Sequence, residues 1–156
     1  MLANGSSSQV AEYLIGDRGT NSPVLTDPLA FTFDPANNIT VIPVLLALVS
    51  GNQSYYPGGV PPSGSPVWQG AYVFRMSSSG FSLLGNVSQY TNFGNFGDST
   101  NYNLQIQRSI IIGNYLYTIS QGEVMISDLS DLSTLSSIQL PLYNSTSAYS
   151  SSFALG

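Results

Sequence analysis

The chain repeats one pattern of short strands. Residues 29 to 89 and 108 to 140 each read as four β-strands, and both close on a pair of matching shape. In the first copy the pair is Gly70-Ala71-Tyr72-Val73-Phe74-Arg75-Met76, a Ser/Gly turn, and Phe81 to Val87. In the second it is Gly122-Glu123-Val124-Met125-Ile126-Ser127-Asp128, a turn, and Leu132 to Leu140. This repetition constrains the fold tightly, because one such sheet, apolar on both faces, cannot bury both of them alone. Sheets must therefore stack on sheets.

Local signals place the strands. In the first unit they are expected near Leu29 to Phe33, Ile39 to Val49, Gly70 to Met76 and Phe81 to Tyr90. Asp34-Pro35-Ala36-Asn37-Asn38 is a strong turn sequence between the first two. Pro43 cannot donate to a ladder, so it predicts an edge or a bulge within the second strand. In the second unit the strands are expected near Arg108 to Ile112, Tyr115 to Ser120, Glu123 to Asp128 and Thr134 to Leu140. Gly113-Asn114 and Gln121-Gly122 are short enough for tight hairpins and predict positive φ at both turns. Val10 to Ile15 reads as one further strand, ended by Gly16-Asp17-Arg18-Gly19.

A four-stranded unit recurring along a chain is the mark of a β-propeller blade. The expected fold is all-β: two antiparallel four-stranded blades plus one extra strand, part of a larger propeller. Residues 1–9 form a polar lead-in, and 10–28 a strand and loop belonging to a preceding blade. The first blade spans 29–90 with a long Pro/Gly loop over 50–66. Residues 91–107 connect the blades, 108–142 form the second, and 143–156 are a Ser-rich tail.

Four segments carry a family resemblance. They are Tyr13-Leu14-Ile15-Gly16-Asp17-Arg18-Gly19-Thr20, Ala30-Phe31-Thr32-Phe33-Asp34-Pro35, Trp68-Gln69-Gly70-Ala71-Tyr72-Val73-Phe74 and Ile112-Gly113-Asn114-Tyr115-Leu116-Tyr117-Thr118-Ile119-Ser120. In that order the chain resembles, over residues 10 to 142, the C-terminal blades of the secreted β-propeller domain family of archaea and bacteria, itself distantly related to WD-repeat propellers. The resemblance implies no established catalytic activity. Family members often carry a basic or histidine pair before the Ala-Phe strand, where this chain has Asp27-Pro28-Leu29, so a ligand assigned to that pair does not carry over. Two blades are fewer than the four to eight of a closed ring. The expected partners are the remaining propeller blades or other copies of the same chain.

Charge narrows the function classes. Charged residues make up 7% of the chain, against roughly a quarter in ordinary domains, and the cations are Arg18, Arg75 and Arg108 alone. A net charge of −5 with dispersed cations excludes the basic footprint that nucleic acid demands. It equally disfavours anionic membrane surfaces, and Val44 to Val49, the longest apolar run, is far short of the ~20 residues of a spanning helix. Residues 1 to 9 carry no secretory signal. Asn4, Asn38, Asn52, Asn86 and Asn144 stand in N-x-Ser/Thr glycosylation sequences, which with the Lys-free, hydroxyl-rich composition point to an extracellular or cell-surface protein.

With neither His nor Cys, the chain excludes Ser/His/Asp, Cys/His and thiolate-zinc chemistry within itself. Asp17, Asp27 and Asp34 sit near strand ends, and two carboxylates suffice for a glycosidase. Asp17 and Asp34 fit better as turn residues bonding their own backbone, with Arg18 as an ion-pair partner for Asp17 or Asp27. Asp98-Ser99-Thr100-Asn101 and Asp128-Leu129-Ser130-Asp131 offer oxygen ligands of the kind Ca²⁺ prefers, yet neither completes a calcium loop, so no cofactor is expected. Aromatic residues in the long segments are the best binding candidates: Tyr55, Tyr56 and Trp68 in one, Tyr90, Phe93, Phe96 and Tyr102 in the other. They suit a cell-surface glycan or a protein partner, or they fill space between blades. The expected role is a non-catalytic binding or structural module. A glycan-processing enzyme completed by further blades, and a subunit of an extracellular filament or surface layer, are the alternatives.

Overall fold

The computed structural model describes residue 9, residues 11–51, 58–91 and 93, and residues 102–141. Two antiparallel sheets dominate it. The first has strand order β1-β2-β3-β4 and the second β5-β6-β7-β8. Their bounds are β1 Thr32–Asp34, β2 Ile39–Leu48, β3 Ser65–Ser77, β4 Gly80–Val87, β5 Arg108–Ile112, β6 Tyr115–Ile119, β7 Glu123–Asp128 and β8 Thr134–Gln139. Each sheet is a meander whose neighbours in sequence are neighbours in space, as a blade requires. Residues 11–15, read from sequence as a strand, carry none. The first blade opens later than expected, because Pro28–Ala30 forms a 3-10 turn capped by the Asp27 side chain, and β1 follows it.

Pleating decides which residues meet. Successive side chains point to opposite faces, so β7 alternates between buried and half-buried along its whole length. Ile39, Val41, Ala71, Val73 and Val87 of the first blade form one cluster with Ile106, Leu116 and Met125, and Ile111, Leu129 and Leu132 pack around it. The core is therefore the seam between blades. Leu132 reaches the seam from the β7–β8 turn at φ 61, and a Cβ added to Gly85 of β4 would lie 2.8 Å from its Cδ1. A bulge between Val73 and Phe74 in the β3–β4 ladder precedes that approach.

Turn chemistry is partly as the sequence predicts. Asp34 accepts from the Ala36 N–H at 3.0 Å and from the Asn37 amide at 2.7 Å, with Asn38 at φ 53. Gly113 has the expected positive φ of 59. Gln121 and Gly122 do not adopt positive φ. That hairpin is held instead by Ser120, whose Oγ accepts from the N–H of Gly122 at 3.2 Å and of Glu123 at 3.0 Å. Pro43 lies within β2, opposite Ala71 of β3 and beyond the end of β1, which pairs only as far as Val41. Its missing N–H thus faces a local edge, where the Ser22 hydroxyl donates to the Pro43 carbonyl at 2.6 Å.

Candidate functional site

Polar side chains stitch the seam where the inner strands begin. Gln69 of β3 is 3% exposed and imitates a strand partner: its Nε2 donates to the Ile106 carbonyl at 3.1 Å, and its Oε1 accepts from the Ile106 N–H at 3.1 Å. Gln89, just past β4, donates to the Thr118 carbonyl at 2.9 Å. Thr32 of β1 donates through its hydroxyl to the Ser109 carbonyl of β5 at 2.7 Å, and Ser109 Oγ returns a bond to Thr32 Oγ1 at 2.9 Å. Arg108 Nη2 pairs with Asp27 Oδ2 at 2.6 Å. Arg108 Nη1 and Gln89 Oε1 are buried with no hydrogen-bond partner among the described residues, a desolvation cost set against these bonds.

Two clefts open at this end of the seam. One, of about 310 Å³, is walled by Asn21, Ser22, Thr26, Asp27, Gln107 and Arg108, with Gln69 and Ile106 behind them. The other, of about 410 Å³, runs along the innermost strands between Leu29, Phe31, Phe33 and Ile110. The first is polar and close to neutral, since its one cation is paired. Asp27 is held below the ordinary carboxylate range, first by the Leu29 N–H it accepts and then by Arg108.

Among the described candidate aromatics, the structure brings Tyr90 and Phe93 into contact. Tyr55, Tyr56 and Phe96 lie outside the described residues. Trp68 is half-buried, meets Tyr72 edge-on at 5.1 Å, and covers Gly70, where an added Cβ would fall 2.5 Å from its ring. Tyr90 is 5% exposed and stacks on Phe93 at 5.9 Å, and burial raises its phenol pKa. Tyr102 is 58% exposed and presents an open ring. Of the glycosylation sequences, Asn38 and Asn86 are exposed, while Asn4, Asn52 and Asn144 fall outside the described residues.

The carboxylates are engaged in turns and pairs. Asp17 Oδ2 accepts from the Val49 N–H at 2.8 Å, and Asp128 and Asp131 accept from the N–H groups of Ser130 and Ser133, both at 2.8 Å. Arg18 pairs with neither Asp17 nor Asp27. It donates to the Pro61 carbonyl at 2.8 Å, and the ion pair belongs to Arg108. Residues 98–101 lie outside the described residues, and no group of three or more metal-ligating side chains occurs among those described. No helix there is long and apolar enough to cross a membrane.

Sequence reading missed Gln69, Gln89 and the Asp27–Arg108 pair. Their partners lie 29 to 81 residues away, and nothing local announces them.

Two meandering four-stranded sheets, stacked face to face with their first strands adjacent, define the molecule as a β-propeller type of protein. A family model described as the beta propeller domain matches residues 5–132, and the chain belongs to that family. No curated protein and no solved structure matches it.

Proposed function

We propose that the chain supplies two consecutive blades of an extracellular or cell-surface β-propeller and acts there as a non-catalytic binding or structural module. One observation carries this reading. Each blade buries one apolar face against the other, while the outward face of the second blade keeps Ile110, Ile112, Tyr115 and Ile138 between 45% and 58% exposed. The registers set these four on a common side with Tyr117 and Ile126. A surface of that kind is what a further blade covers. Ligands then bind at the axial end, where the polar cleft and the inner-strand cleft meet the seam.

The exposure of Asn38 and Asn86 supports an extracellular setting. Secretion from a glycosylating host is expected to add glycan mass at both, and an unmodified chain would remove that support. For the module itself, light scattering is expected to find the chain joined to further blades or copies. A stable monomer that shows no dye-binding apolar surface would contradict it. Incubation with a panel of glycans is expected to give binding without turnover, and released sugar would favour the glycan-processing reading. A filament or surface-layer subunit draws support from β8, which pairs on one side and is exposed along its whole length. Negative-stain fields of discrete particles would dismiss it.

A further inference from the structure

Another cleft, of about 330 Å³, opens at the far end of the seam from Arg108, among the β1–β2, β5–β6 and β7–β8 turns. Blade 1 supplies Asn37, Ile39 and Arg75 to its walls, and blade 2 supplies Asn114, Asp128 and Leu129. Backbone bonds hold both walls in place. The Asn38 carbonyl accepts from the Met76 N–H at 2.7 Å, which fixes the first turn beside Arg75. Across the cleft the Asn114 carbonyl accepts from the Leu129 N–H at 2.9 Å, and the Asp128 carbonyl accepts from the Leu132 N–H at 2.8 Å. The Asp128 side chain is anchored through one oxygen: Oδ1 accepts from the Ser130 N–H at 2.8 Å and from its hydroxyl at 2.6 Å, and Oδ2 takes no bond from a described residue.

Two opposite charges line this cleft without meeting. Arg108 is paired with Asp27, and Arg18 bonds the Pro61 carbonyl, whereas the Arg75 guanidinium makes neither an ion pair nor a hydrogen bond among the described residues. Arg75 stands opposite Ile39, a member of the seam cluster, and cross-strand partners share a face, so its side chain belongs to the side turned toward blade 2. A lone cation entering the cleft meets Arg75, and a lone anion meets Asp128; either is repelled by one wall. A small molecule that carries both charges is attracted by both. The guanidinium fork suits a carboxylate, while Asp128 Oδ2 and the Asn114 side-chain carbonyl are acceptors for a primary ammonium. A quaternary ammonium would call for aromatic faces, and none of the described residues lining the cleft is aromatic. Ile39 and Leu129 add an apolar strip beside the charges.

We propose that this cleft binds a free α-amino acid with an aliphatic side chain. The carboxylate sits on Arg75, the ammonium between Asp128 and Asn114, and the side chain on Ile39 and Leu129. The ligand thereby bridges the two blades, with its carboxylate held by β3 and its ammonium by the turns of blade 2. Walls already fixed by their own backbone bonds have little ordering left to lose on binding. The site goes beyond the binding role proposed above: it lies at the other end of the seam, and it requires the stacked pair of sheets alone, whatever the number of blades or the setting of the protein.

Amide chemical shifts of the intact chain, titrated with L-leucine, test the proposal. Those of Arg75, Asn114 and residues 128–130 are expected to move together and to saturate. Two relatives of leucine separate the charges: 4-methylpentanoate lacks the ammonium and 3-methylbutylamine lacks the carboxylate. Each is expected to bind at least about tenfold more weakly, the worth of one charge-assisted contact. Arg75→Gln and Asp128→Asn are expected to weaken leucine by a similar factor. Neither substitution removes a bond from the fold, since Arg75 makes none among the described residues and asparagine keeps the acceptor that holds Ser130. Leucine shifts that fail to saturate, or that saturate elsewhere on the chain, would overturn the proposal. So would equal binding of either single-charge relative, or leucine affinity that survives the loss of Arg75 or of the Asp128 charge.

Discussion

Gln69 supplies, with one side chain, the two hydrogen bonds that a paired residue would give Ile106. Both partners are buried, at 3% and 0% exposure, so removing the amide orphans a donor and an acceptor away from water. Gln69→Leu is expected to cost about 1–3 kcal/mol for each group stranded, measured by chemical denaturation. A change within 0.5 kcal/mol would show that water replaces the amide. Asp27 makes a pH-dependent contribution. Its pKa is lowered in the fold from an ordinary 3.8, so its stabilising effect is present above that value and fades as pH falls through the depressed one. Asp27→Asn is expected to lower Tm at neutral pH, and the gap from the parent should close in acid below pH 3.8. A gap that stays constant would assign the loss to the cap on Leu29 rather than to charge. Such residues were opaque in the sequence. Asp27 was matched to Arg18, the nearer cation, because a partner 81 positions away leaves no local trace.

Elements were far more legible, because strands carry a period and turns carry a chemistry. β5 and β7 fall where the alternation and the Gly113-Asn114 turn put them. Pro43 was read as an edge or a bulge, and it lies at a local edge, since β1 stops short of it. The turn at Gln121-Gly122 was misread because Ser120 closes it from the side, a bond that relieves the backbone of positive φ. Ser120→Ala is expected to cost about 1 kcal/mol and to speed exchange of the Gly122 and Glu123 amides. Unchanged exchange would remove Ser120 from the turn. Val10 to Ile15 was read as a strand ended by the turn Gly16-Asp17-Arg18-Gly19, and residues 11–15 carry no ladder. Alternation sets which side chains touch a sheet, whereas a strand also needs a backbone partner.

At the scale of the molecule the repeat gave the architecture, because two like sheets with apolar faces have few ways to become dry. It could not give a site: the candidate aromatics were chosen for type, and packing consumed Trp68 and Tyr90. Blades that share a core must unfold together. Leu116 belongs to blade 2 and is fully buried, while Trp68, the sole tryptophan, belongs to blade 1. Leu116→Ala is expected to cost about 2–5 kcal/mol, and the Trp68 fluorescence transition should move with the circular dichroism transition. A Trp68 midpoint that ignores the substitution would mean independent sheets. The stacking itself is read most directly by methyl NOEs in the folded chain. Cross-peaks are expected between methyls of Val41, Val73 or Val87 and those of Ile106, Leu116 or Met125, all members of the one cluster. Intense NOEs within each sheet with none between the two groups would contradict the account.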